Sequence, residues 1–268
     1  CQNIYRNNTF NECKGTLTMR HGNETLVESN YMFGNGKANT GGIRVINETQ
    51  KVINNYCEGL TDYRFRSALT IMNGVPNSPP NRYFQVIDSE VSNNTFVNCN
   101  HIQLCAGSDE ERSAPPKNTV VNNNIFYNDK KENLFTIYDD ISGISFNDNL
   151  ISENATSIAK TGFEKTKLTF KRDENGLLMP TDAIVKGKGM TPTKDRATPE
   201  NTGVTWYPRI EEEVFFGGGK TTQVKAGNNT LLNAVKNSNS GDVLELEAGN
   251  YIVTKAIELT HPISIISK

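Results

Sequence analysis

The chain has a single Trp, 3 His, no CxxC pair and no excess of either charge, and each scarcity closes a class of function. Without closely spaced Cys and His there is no zinc ligand set. Cys1, Cys13, Cys57, Cys99 and Cys105 are odd in number and scattered, so they read as small buried fillers, not as a disulfide framework. Lys and Arg number 28 against 30 Asp and Glu, a formal charge of −2. No global field therefore draws the protein to nucleic acid or to an anionic membrane surface, neither is expected as a partner, and any anion site must be local. No apolar run approaches the roughly 20 residues that cross a bilayer, and the opening residues Cys1 to Arg6 carry no signal-peptide pattern. Hydrophobic residues make up only 35% of the 268 positions, which suits a thin, extended core better than a spherical one.

What the chain does have is asparagine in a rhythm. Clusters at residues 6–10, 28–33, 53–56, 92–96, 122–126 and 147–151 each lead from Asn into an apolar or aromatic residue. Aligning Asn8, Asn30, Asn55, Asn94, Asn124 and Asn149 gives steps of 22, 25, 39, 30 and 25 residues. Periods in this range signal stacked repeats, the longer steps marking coils with inserted loops. Asn tolerates a left-handed backbone at a sharp turn, and stacked copies can bond amide to amide. The residue after each Asn is expected to point inward, with Tyr31, Tyr56 and Phe96 forming an internal stack. Stretches 42–46, 68–72 and 83–87 read as β walls of the coils. Residues 1–157 are thus expected to be all-β, a right-handed parallel β-helix.

Across 158–221 the rhythm stops and loop-like material takes over, with Phe163, Leu168, Phe170, Trp206 and Tyr207 expected to pack on the solenoid. Residues 222–268 change character again. A short amphipathic helix at 229–236, alternating strand and turn over 241–251 and an apolar strand at 262–268 read as a cap helix and the first coil of a second β-helix. The Asn rhythm is already running at Asn7 without a cap before it, so the sequence reads as an internal fragment whose first solenoid is truncated at its N-terminal end.

Two blocks carry more chemistry than the rest: Met19-Arg20-His21-Gly22, and one coil later Gly41-Gly42-Ile43-Arg44-Val45. With 16–22, 54–56, 59–60, 74–79 and 106–107, taken in order and at coil spacing, they resemble polysaccharide lyase family six, the alginate lyases and chondroitinase B. The resemblance runs from Cys1 to Pro208. It implies a parallel β-helix that cleaves 4-O-linked uronate polymers by β-elimination, with an acidic polysaccharide as partner. In such enzymes calcium neutralises the uronate carboxylate, a Lys removes the ring proton and an Arg assists the leaving oxygen. Arg20 matches that Arg, His21 its neighbour at the cleaved bond, and Arg44 an arginine that holds a uronate carboxylate bidentately.

The same resemblance puts the catalytic Lys and the calcium ligands one coil before Arg20, ahead of Cys1. Lys14, only six residues from Arg20, cannot take that role. No metal ligand is therefore assigned within the chain, and the chain alone is expected to be inactive. Alginate is the expected substrate, with chondroitin or dermatan second, and a secreted or periplasmic location follows from a polymeric substrate.

Further cleft candidates come from alternation. Arg64 and Arg66 fall on one side of a supposed strand, where Arg66 suits a solvated edge or an outlying sugar. His101 and Gln103 alternate likewise, and Arg112 follows the acidic run Asp109-Glu110-Glu111 on a loop. Asp139-Asp140 reads as a turn, not as a calcium site. Two rival readings are a non-catalytic glycan-binding solenoid of the tailspike or adhesin kind, which needs no paired Arg20 and Arg44, and a pectin-acting hydrolase, which needs an Asp cluster on adjacent coils that is not found.

Overall fold

The computed structural model describes residues 2–203 and 217–267. They belong to two units, Cys1–Thr202 and Gly203–Lys268. In the first, each turn of chain lays strands on parallel sheets that stack coil upon coil. A six-stranded sheet runs from Ile4–Arg6 to Ile144–Asn147, and a seven-stranded one from Thr9–Asn11 to Phe163–Thr166. The third, five-stranded, runs Gly15–Met19, Thr40–Val45, Leu69–Met72, Ile102–Ala106 and Phe135–Ile137. Every pairing within the three is parallel, so this unit is a parallel β-helix. Phe163–Thr166 carries the second sheet beyond residue 157.

The coils are pinned by the predicted asparagines. Asn8, Asn30, Asn55, Asn94 and Asn124 each donate their amide nitrogen to the side-chain oxygen of the next, at 2.9–3.0 Å, ending on Asn149. From Asn30 onward these side chains are fully buried. Each also reaches a backbone carbonyl, as Asn55 does to Val27 and Asn94 to Val52, so no interior amide is left unsatisfied at these positions. The left-handed backbone falls one residue earlier than the ladder, at Asn7, Ser29, Asn54, Asn93, Asn123 and Asp148, with φ between 52 and 60°.

This inward Asn corrects the expected aromatic stack. Because side chains alternate along a strand, the residue after an inward Asn faces outward and the one after that inward. The interior column is accordingly Phe10, Met32, Cys57, Phe96, Phe126 and Ile151, with Phe96 and Phe126 stacked at 5.1 Å. Tyr31 and Tyr56 lie on the outer side, where they are buried under Leu177, Met190, Phe170 and Leu178. Their hydroxyls accept from the backbone N–H groups of Thr193 (2.9 Å) and Leu178 (2.8 Å). Burial, helped by the Glu58 carboxylate, pushes the Tyr56 phenol well above its ordinary pKa and keeps it a neutral donor to Glu58. The covering segment includes the antiparallel pair Phe170–Arg172 and Leu178–Pro180, and it buries Leu168 against Ile125, Tyr127 and Leu150. Trp206 and Tyr207 lie outside the described residues.

Two predicted walls are not walls. Residues 83–87 form no strand; only Ile87 makes isolated bridges, to Glu48 and Lys117. Arg64–Arg66 is a turn of 3-10 helix. Both stretches depart from the coil between strands, and the first explains the 39-residue step from Asn55 to Asn94. Of the cysteines, Cys57, Cys99 and Cys105 are free and buried, and Cys13 is free and exposed.

In the second unit Thr221–Val224, Val243–Leu246 and Ser264–Ser267 pair in parallel, as do Gly227–Asn228 and Tyr251–Ile252. The helix Thr230–Lys236 follows Asn229 and packs Val235 against Val224 and Leu244.

Candidate active site

Strand register decides which arginines can meet. Thr18 pairs with Arg44, and Arg44 with Thr70. Their in-register neighbours Met19, Val45 and Ile71 are buried in the core, so Thr18, Arg44 and Thr70 present the outer face of the third sheet. Arg20, two residues beyond Thr18, shares that outward parity just past the strand's end. Local packing of this sheet depends on Gly41 and Gly42, which lie inside the strand and not in a turn. A Cβ on Gly42 would sit 2.0 Å from the Ala68 carbonyl oxygen, and one on Gly41 2.6 Å from that of Arg66.

Two loops close over this end of the sheet. The segment after Met72 and the segment after Ala106 are clasped by reciprocal backbone bonds between Gly74 and Ala114 (2.8 and 2.9 Å). An Arg82–Glu111 ion pair at 2.5 Å joins them further out, and the Asn73 amide donates to the Arg112 carbonyl (3.1 Å) and to Asp139 (2.7 Å). The clasp delivers Tyr83 to Arg20, whose guanidinium lies 4.7 Å from the ring centroid and donates to the Asn81 carbonyl at 3.3 Å. Arg112 reaches the same ring at 5.8 Å and Phe65 at 5.9 Å, while its Nε donates to Gly107 (2.6 Å) and its outer nitrogen pairs with Asp109. Arg20, Val75, Arg82, Tyr83, Glu111 and Arg112 line a small hollow of about 80 Å³.

The charges are unbalanced. Among the described residues neither Arg20 nor Arg44 has a carboxylate within ion-pair reach. Burial lowers the pKa of Arg44, Tyr83 acts the other way, and Arg20 adds to the lowering. Its Nε is buried without a hydrogen-bond partner. An anion arriving here would relieve all of these at once.

The remaining predicted residues divide. His21 is exposed next to Arg20. His101 is half-buried beside the Tyr63 ring at 6.4 Å, its pKa lowered by burial and then by Lys131. Arg66 does not share a strand face with Arg64; it pairs with buried Asp62 at 2.8 Å. Gln103 is buried and committed to the fold. In the amide orientation that satisfies its surroundings, it bonds both the N–H (2.7 Å) and the carbonyl (2.8 Å) of Arg64, with Ser67 and Tyr138 beside them. Tyr83 and Arg82 were missed because they arrive on an aperiodic loop.

Among the described residues no group of His, Cys, Asp or Glu is arranged to hold a metal ion. Asp139 is taken up by Asn73, Ser108 and the Asp140 N–H, and Asp140 by Ser142. The calcium that the resemblance implies does not fit the residues described here. A larger hollow of about 710 Å³ lies on the other flank beside Tyr31. Its Arg196 packs on Tyr31 and Phe33 and bonds the Asn175 carbonyl, and Lys194 lines the same hollow.

The described unit is thus a parallel β-helix with a local cationic face, where two guanidiniums without carboxylate partners suit an anion. The chondroitinase B family model matches residues 1–191, and the chain belongs to this family, polysaccharide lyase family six. The alginate lyase AlyGC of that family is 49% identical, aligned over 99% of this chain and 37% of its own, with a TM-score of 0.75. A mannuronic acid specific family six lyase from human gut microbiota is 27% identical over 62% of this chain and 39% of its own, with a TM-score of 0.53. The chain thus spans well under half the length of either relative. No curated protein matches it, and no helix among the described residues is long and apolar enough to cross a membrane.

Proposed function

We propose that the chain supplies part of the active site of a polysaccharide lyase acting on 4-O-linked uronates, with alginate as the substrate. The observation that carries this is the pair Arg20 and Arg44, on one outer face and both without a carboxylate partner, with the Tyr83 ring against Arg20. In β-elimination a base takes the ring proton beside the carboxylate, its electron pair forms the ring double bond, and the bond to the leaving oxygen breaks. Arg44 is suited to hold the uronate carboxylate through its planar fork. Arg20 is suited to stabilise the charge growing on the leaving oxygen, since a guanidinium offers a delocalised positive charge and several N–H donors. His21 adjoins that position and Arg112 extends the cationic surface. The two relatives, described as alginate and mannuronic acid lyases, favour alginate over chondroitin.

The base and any calcium ligands belong, in this proposal, to residues outside this chain, which alone would be inactive. A polymeric substrate places the enzyme outside the cytoplasm. In the full-length protein, Arg20→Ala should lower turnover on alginate by about a hundredfold or more, as expected for loss of one transition-state donor. Ultraviolet absorbance of the unsaturated product reports it, and unchanged turnover refutes the assignment.

A further inference from the structure

Resting on the lyase reading, we propose that Tyr83 is a positioning residue for Arg20, and that the clasped loops exist in part to deliver it. Arg20 is exposed, past the end of its strand, and long; left alone it would sample many rotamers. Only two contacts restrain its guanidinium among the described residues: the Asn81 carbonyl at 3.3 Å and the face of Tyr83 at 4.7 Å. Both come from the same loop, so Arg20 is aimed by a segment that its own sheet does not contain.

The ring is suited to the task. A neutral aromatic face attracts a cation without cancelling its charge, whereas a carboxylate would neutralise the group needed for the substrate. The same ring lies 5.8 Å from the Arg112 guanidinium, so it stands between two like charges. Its own place is fixed by the backbone. The Tyr83 carbonyl accepts from Val75 at 2.7 Å, and Gly74 allows the returning segment so close that a Cβ there would meet Gln85 Cα at 2.3 Å. The neighbouring Arg82–Glu111 pair ties that segment to the second loop.

The test uses the full-length protein with Tyr83→Leu, Tyr83→Phe and Arg20→Ala, each checked for an unchanged melting transition. Loss of the ring should lower kcat on alginate about ten- to a hundredfold with KM changed less than about threefold, the pattern for a reacting group misplaced by an ångström or so. Tyr83→Phe, which keeps the ring face, should restore most of that loss. In parallel, the Arg20 side-chain N–H signals in protein labelled with ¹⁵N-arginine should carry an upfield ring-current shift in wild type and Tyr83→Phe that vanishes in Tyr83→Leu. An unmoved Arg20 signal in Tyr83→Leu, or full turnover in that variant beside an inactive Arg20→Ala, overturns the positioning role. A wild type without uronate lyase activity sinks the lyase reading instead, and the nuclear magnetic resonance arm still decides where Arg20 is held.

Discussion

Asn55 shows what one amide does in this fold. Its nitrogen lies within bonding distance of Val27, Ile53 and Asn94, and its oxygen accepts from both the N–H and the amide of Asn30. Asn55→Ala would strand several of these groups in a dry interior, each worth about 1–3 kcal/mol when unmet. Urea unfolding should show a loss of roughly 3 kcal/mol or more; a loss under about 1 kcal/mol would mean that the ladder is ornamental. His101 makes a different prediction, about pH. Burial and then Lys131 lower its folded pKa below 6.5, so the unfolded chain protonates first as pH falls. Stability is therefore whole above about pH 6.5 and declines below it until the folded His also titrates. Thermal melts of His101→Gln across that window should lack this acid-side decline.

At the scale of the element, the third sheet is a platform in which Gly41 and Gly42 are needed for space and not for backbone conformation. Gly42→Ala would press a methyl group into the Ala68 carbonyl oxygen, 2.0 Å from an unmoved Cβ. Strand separation must grow or the register slip, costing about 1–3 kcal/mol and carrying Arg44 off its place; a calorimetric Tm and the uronate KM should both report it. The ladder could be read before any coordinates because a side chain that both donates and accepts must recur at every rung if it is to bond its own copies. Tyr31 and Tyr56 could not be placed, since inward or outward follows only once the Asn direction is known, and the segment that covers them lies more than a hundred residues away. The arginines at 20 and 44 were legible through their blocks. Tyr83 was not, because a loop closed by Gly74, Ala114 and an ion pair has no period to read.

Across the whole molecule the asparagine ladder has one more consequence. It closes across the 39-residue step at 2.9 Å and across the 25-residue step at 3.0 Å, indifferent to how much chain wanders off between rungs. Scaffold and recognition surface are thereby uncoupled. Selection can lengthen, shorten or exchange the excursions between rungs while the spine beneath keeps the same pitch.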